Sequence, residues 1–153
     1  MTSALFSNQR ETNLTSTVAL VEATLAELGQ PSPGSRVKDA TALFSWQIPK
    51  GSSLTRVTLI HRSEFTHLRV CATVMTLDAK VDRGALFGHL LDLNAGLCGA
   101  AFATDGDHVL LVGERSTLDL DRSEVLELIK RVTTYADEHD DVLVARFGGR
   151  IGP

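Results

Sequence analysis

The sequence predicts an α+β domain, an antiparallel sheet packed with helices in the order α-β-β-β-α-β-β-α. Three observations predict it. Apolar residues recur every three or four positions near both ends of the chain and again in its middle. Between those stretches the apolar period falls to two, the spacing of a strand with one buried face. Clusters of Gly, Pro, Asn and Asp stand where the period changes.

Leu14, Val18, Val21, Leu25 and Leu28 follow one another at steps of four, three, four and three, which puts them on one stripe of a helix. Gly29 is placed to close that helix, and Pro31 and Pro33 stop it from continuing. Ala42, Phe44, Trp46 and Ile48 then alternate with Leu43, Ser45 and Gln47 as a first strand. A Pro49–Ser53 turn leads to a second strand over Leu54–Arg62, with Val57 and Leu59 on one face. The third strand, Leu68–Leu77, is apolar on both faces. Leu68, Val70, Ala72 and Val74 share one side, and Cys71, Met75 and Leu77 the other.

Asp82 is a candidate N-cap for a second helix, which carries Leu86, Phe87, Leu90, Leu91 and Leu93 and ends at Asn94-Ala95-Gly96. Strands over Leu97–Thr104 and His108–Glu114 flank an Asp105-Gly106-Asp107 hairpin. Asp121 and Glu124 have the spacing of a capping box and open a last helix on Val125, Leu128, Ile129, Val132, Tyr135 and Ala136. Acidic residues from Glu138 to Asp141 oppose the macrodipole of a helix ending there, so fraying is expected. Val142–Val144 reads as a short sixth strand. The domain division expected is a flexible N-terminal arm over 1–10, one domain over 11–147 and a flexible tail over 148–153.

A chain of 153 residues fits one domain, and its net charge of −4 with interspersed signs argues against a nucleic-acid surface. No run of 18 apolar residues suggests a membrane span, and the first ten residues lack a signal-peptide pattern. The two cysteines, Cys71 and Cys98, sit in apolar runs and read as small buried hydrophobes in a reducing, cytoplasmic setting.

No constellation argues for catalysis. His61, His67, His89, His108 and His139 include no close pair on one helical face, although His61 and His67 flank the same turn. Asp105-Gly106-Asp107 lacks the further ligands of a calcium loop. Gly148-Gly149-Arg150 and Gly96-x-x-Gly99 are too short for phosphate loops. Asp119 and Asp121 stand at a helix start, where capping explains them. The expectation is therefore no catalytic residue, no metal and no cofactor. What is left over is apolar surface. Three helices cover one face of a sheet, yet the third strand keeps apolar residues for both, and such surplus marks an interface.

Leu90-Leu91-Asp92-Leu93-Asn94-Ala95-Gly96-Leu97, then Gly99-Ala100-Ala101-Phe102-Ala103 running into the Asp-Gly hairpin, then Val109–Glu114 and the long last helix, together resemble the YbjN-like proteins. These share a fold with the class I type III secretion chaperones, the Tir-chaperone-like fold. The resemblance covers roughly the second half of the chain by motif and the first half by element order. It implies a compact, dimeric α+β domain that binds other polypeptides and carries no catalytic residue. The function expected is a chaperone-like protein-binding homodimer, the alternative being a small-ligand-binding or sensory regulatory domain. Its dimer contact is expected at Leu86, Phe87, Leu90 and Leu91, and its partner contact at Phe44, Trp46 and Met75, with the core as the other place for Trp46. Strand pairing at an exposed sheet edge is expected as a further mode of binding.

Overall fold

The structure is a computed structural model. It describes residues 3–50 and 53–153, with side chains from Asn13 onward, Lys50 excepted. Among these residues the elements run α1 (Ser3–Glu27), β1 (Arg36–Val37), β2 (Phe44–Lys50), β3 (Ser53–Arg62), β4 (Phe65–Thr76), α2 (Arg83–Asn94), β5 (Ala101–Asp105), β6 (His108–Ser116), α3 (Arg122–Phe147) and β7 (Arg150–Ile151). The strands form one antiparallel sheet in the order β1-β2-β3-β4-β6-β5, with β7 pairing on β4.

Local chemistry sets the helix ends. At the end of α1 the Gly29 N–H donates to the Ala26 carbonyl at 3.0 Å and the Gln30 N–H to the Leu25 carbonyl at 2.8 Å. That is the Schellman pattern, and it needs the left-handed φ of 77° that Gly29 adopts. Asp82 caps α2 by accepting from the Ala85 N–H at 3.0 Å. The capping box on α3 is closed both ways. Asp121 accepts from the Glu124 N–H at 2.9 Å, and Glu124 accepts from the Asp121 N–H at 2.9 Å.

All three helices lie on one face of the sheet. Val57, Leu59, Leu68, Val70, Ala72, Val109 and Leu111 point from the strands into the same core as Val21 and Leu25 of α1, Leu86 and Leu90 of α2, and Val125, Leu128, Ile129 and Val132 of α3. Gly113 of β6 sits directly under α3. A Cβ there would lie 2.6 Å from Leu128 Cδ1, so the missing side chain lets the helix approach.

Several expectations are corrected. From Ser3 on, the expected arm over 1–10 is part of α1; residues 1 and 2 lie outside the described residues. Val142–Val144 is not a strand. Leu143 lies seven residues beyond Ala136 on the buried stripe of α3, so the helix continues to Phe147 and the acidic stretch falls inside it. There Asp140 is buried, and loss of water pushes its carboxyl up. The expected tail over 148–153 carries β7. Strand β5 starts at Ala101, later than Leu97, and Cys98 is exposed, not buried. Cys71 is half-buried, and burial raises its thiol pKa.

Candidate functional site

Because the helices share one face, the other face of the sheet stays open. The register aligns its side chains in rows. Arg56, Cys71, Val112 and Ala101 stand opposite one another across β3, β4, β6 and β5. Thr73, Leu110 and Ala103 form the next row, and Thr58, Arg69 and Glu114 the row on the other side. From these rows Arg56, Cys71, Thr73, Leu110, Thr58 and Arg69 line a groove of about 620 Å³. Leu54, Ile60, Cys71 and Leu110 give it an apolar centre, and Asp39, Arg56, Arg62, Arg69, Asp105 and His108 rim it. Period-two phasing held the signal for this face: Leu54, Arg56, Thr58 and Ile60 alternate with the buried Thr55, Val57 and Leu59.

One end of the groove is held by a charge cluster. Glu114 accepts from Arg62 Nε at 2.8 Å and Nη2 at 3.0 Å, and from Arg69 Nη1 at 2.9 Å. The Arg62 fork is the larger cause that brings the Glu114 carboxyl down to about 2, against partial burial that opposes it; Arg69 adds to the fall. A depressed carboxyl pKa adds stability above the unfolded value of about 4.5, and that stability is lost as pH falls toward 2. Arg62 is half exposed, so screening leaves about 1 kcal/mol of the effect. Urea unfolding at pH 5 and at pH 3 measures it. Glu114→Gln is expected to flatten the difference between the two, and an unchanged difference would assign the acid sensitivity to other carboxylates.

The outer edges of the sheet are blunted against strand addition. On β5, the Asn94 side chain takes the place of a neighbouring strand. Its Oδ1 accepts from the Phe102 N–H at 2.6 Å, and its Nδ2 donates to the Phe102 carbonyl at 3.2 Å. On β2, β1 covers Ser45 and Trp46, the Gln47 N–H donates to the Ser35 carbonyl at 2.8 Å, and Pro49 next along has no N–H to offer. Strand pairing at these two edges, expected as a mode of partner binding, is disfavoured by this arrangement.

The residues named from sequence fall in two groups. Trp46 and Met75 are fully buried in the single chain and belong to its core. Trp46 stacks on Phe44 with ring centroids 6.1 Å apart, and its indole N–H donates to Glu22 Oε1 at 3.1 Å. Met75 faces the helices because the β4–β6 register shifts between Thr73 and Met75, turning both Val74 and Met75 inward. Only Phe44, half-buried beneath the Arg36 guanidinium at 5.0 Å, keeps surface for a partner. On α2, Leu86 and Leu90 are core residues that hold the helix to the sheet, Phe87 is half-buried, and Leu91 is 69% exposed. Of the four residues expected at a dimer contact, Leu86 and Leu90 are thus covered within the single chain, and Phe87 and Leu91 keep exposed surface. Among the described residues no group of His, Cys, Asp and Glu is placed to hold a metal ion, and no helix is long and apolar enough to cross a membrane.

The described residues thus place the helices on one face of the sheet, mixed apolar and charged side chains on the other, and guarded strands at both outer edges. The chain belongs to the TY-Chap1 family, "T3SS (YopN, CesT) and YbjN peptide-binding chaperone 1", whose profile matches residues 15–151. This is a family of peptide-binding chaperones, not of enzymes.

Solved structures carry the same fold. A chain of the ExsC–ExsE complex superposes with a TM-score of 0.66 at 19% identity, over 85% of this chain and 96% of that one. A chain of the HopA1–SchA chaperone–effector complex gives a TM-score of 0.59 at 13% identity, over 86% and 97%. The Yersinia pestis type III secretion chaperone SycH in complex with a fragment of YscM2 gives 0.55 at 18% identity, over 78% and 96%. At these identities the likeness is one of fold. No curated protein sequence matches the chain.

Proposed function

We propose that this peptide-binding chaperone holds a segment of a partner polypeptide along the open face of its sheet and acts as a cytoplasmic homodimer. The observation that carries the reading is the placement of all three helices on one face. It leaves Leu54, Ile60, Cys71 and Leu110 as an apolar floor over which no helix packs among the described residues, between rims of both charge signs. Such a surface holds apolar side chains of a bound segment and pairs with charges on its flanks. The likeness to a chaperone–effector complex is in keeping with a polypeptide as the bound partner.

The dimer is proposed on the outward stripe of α2. Gly84, Gly88, Leu91 and Ala95 follow at helical spacing and are all exposed, and a Cβ at Gly88 would meet nothing within 4 Å. Leu91 is the most exposed large apolar side chain among the described residues. A second helix can approach such a stripe closely and cover Leu91. Sedimentation of wild type and Leu91→Asp tests this. Wild type is expected at twice the chain mass and the variant at a single chain mass, with thermal unfolding of the subunit fold intact. A wild-type monomer, or a dimer that survives the substitution, would remove α2 from the interface.

A further inference from the structure

The sheet has one more stretch of edge, inside its own outline. Among the described residues β3 begins at Ser53, and its register with β4 runs to Thr55 opposite Ala72. Further along, the same edge of β4 takes a different strand. The segment after α3 pairs there, with Ile151 opposite Met75 and Arg150 opposite Thr76. One backbone bond and one side-chain bond complete the docking. The Gly152 N–H donates to the Val74 carbonyl at 3.0 Å, and Thr76 Oγ1 donates to the Gly152 carbonyl at 2.7 Å. Thr76 has one hydroxyl proton, so His108 Nδ1, 3.0 Å away, is the donor in its own contact with that oxygen. The segment then reaches the groove, where Pro153 forms part of the wall beside Leu54 and Leu110.

This occupant is short and has a demanding pattern. Gly149 has φ of 80°, and a Cβ on it would lie 2.6 Å from the Thr76 carbonyl oxygen. Only glycine crosses there. Ile151 is half-buried against β4, and Gly152, with φ of 69°, is buried. Two paired residues between left-handed glycines make a strand that leaves at small cost, because few bonds hold it and the freed glycines regain the most backbone freedom.

We propose that the β4 edge at Val74–Thr76 is a strand-docking site, that Gly149–Gly152 is its resident occupant, and that a partner polypeptide of the pattern glycine, any residue, aliphatic residue, glycine takes its place. The inference rests on the peptide-binding reading and extends the open-face groove around the edge of β4. Main-chain bonds supply the affinity, and the glycine crossing and the aliphatic contact supply the selectivity.

The test uses the full chain and a labelled synthetic peptide with the sequence of residues 147–153. Gly149→Val unseats the resident segment, read as loss of hydrogen-exchange protection at the Gly152 amide. Fluorescence anisotropy should then show the peptide binding the variant at least about tenfold more tightly than wild type. A peptide carrying the same Gly149→Val change should bind neither chain. Thr76→Val, which keeps the side-chain shape and removes the hydroxyl donor, should give a smaller increase and guards against a misfolded first variant. Persistent Gly152 protection in Gly149→Val, equal binding of the two peptides, or no gain in either variant would overturn the proposal. These variants alter the groove wall at Pro153 and its rim at His108 but leave the floor residues Leu54, Ile60, Cys71 and Leu110 in place, and peptide selection on wild type against Leu110→Asp tests that floor without touching the β4 edge, so failure here and failure of the peptide-binding reading are distinguishable.

Discussion

Trp46→Ala is expected to cost about 3–5 kcal/mol of folding stability, with no partner present. The indole is fully buried and is the largest of the fully buried side chains. It fills the space between β2 and α1, stacks on Phe44, and ties β2 to α1 through Glu22. Glu22 in turn pairs with Arg36 at 3.0 Å, so the indole anchors β1 as well. Truncation leaves a cavity and removes the donor to a partly exposed carboxylate; the cavity dominates because Glu22 keeps its arginine. Urea unfolding of the purified chain reads the loss, and a buried indole is expected to fluoresce at short wavelength in wild type. A loss under about 1 kcal/mol would return Trp46 to the surface and to the partner-binding role expected from sequence.

Leu111→Asp and Leu110→Asp are expected to differ more than any other neighbouring pair. The two residues adjoin on β6 and face opposite sides of the sheet. Leu111 is fully buried under the helices, opposite Ala72 on β4 and Phe102 on β5. A carboxylate there has no partner, and Leu111→Asp should unfold the chain or cost at least about 4 kcal/mol. Leu110 lies on the groove floor with a solvated side, and Leu110→Asp should change stability by about 1 kcal/mol or less. Thermal unfolding of the two variants side by side decides it. Equal and large losses would mean that something covers both faces of the sheet within one chain.

Much of the fold was legible because the signals were local. Gly29, Asp82 and the Asp121–Glu124 box act within a few residues of themselves, and each does at its helix end what its side chain predicts. The covered face of β4 was legible from alternation alone. What escaped notice depends on distant partners. The register shift between Thr73 and Met75 breaks the alternation, so Met75 was assigned to the wrong face. Val142–Val144 is too short to show a period, and only the buried stripe running from Val125 to Leu143 makes it helix. β1 and β7 have two residues each and carry no pattern of their own. The apolar surplus expected on the open face rests on Met75 and Leu77, which both lie in the core, and α2 divides its own apolar residues between core and surface. Leu86 and Leu90 belong to the core, and Leu91 faces out.

The electrostatic details follow the same division. That Glu114 would gather Arg62 and Arg69 from two other strands is a property of register, not of spacing along the chain. The Asn94 bonds that guard β5 likewise need α2 to end beside Phe102.

The central claim is that the open face of the sheet receives a polypeptide segment. Selection from a random-peptide library on the immobilised wild-type chain, followed by affinity measurement of the enriched peptides on wild type and on Leu110→Asp, tests it most directly. Segments with interspersed apolar residues are expected to enrich, with at least about a tenfold loss of affinity on the variant. Failure of any peptide to enrich, or undiminished binding to a folded Leu110→Asp chain, would contradict it.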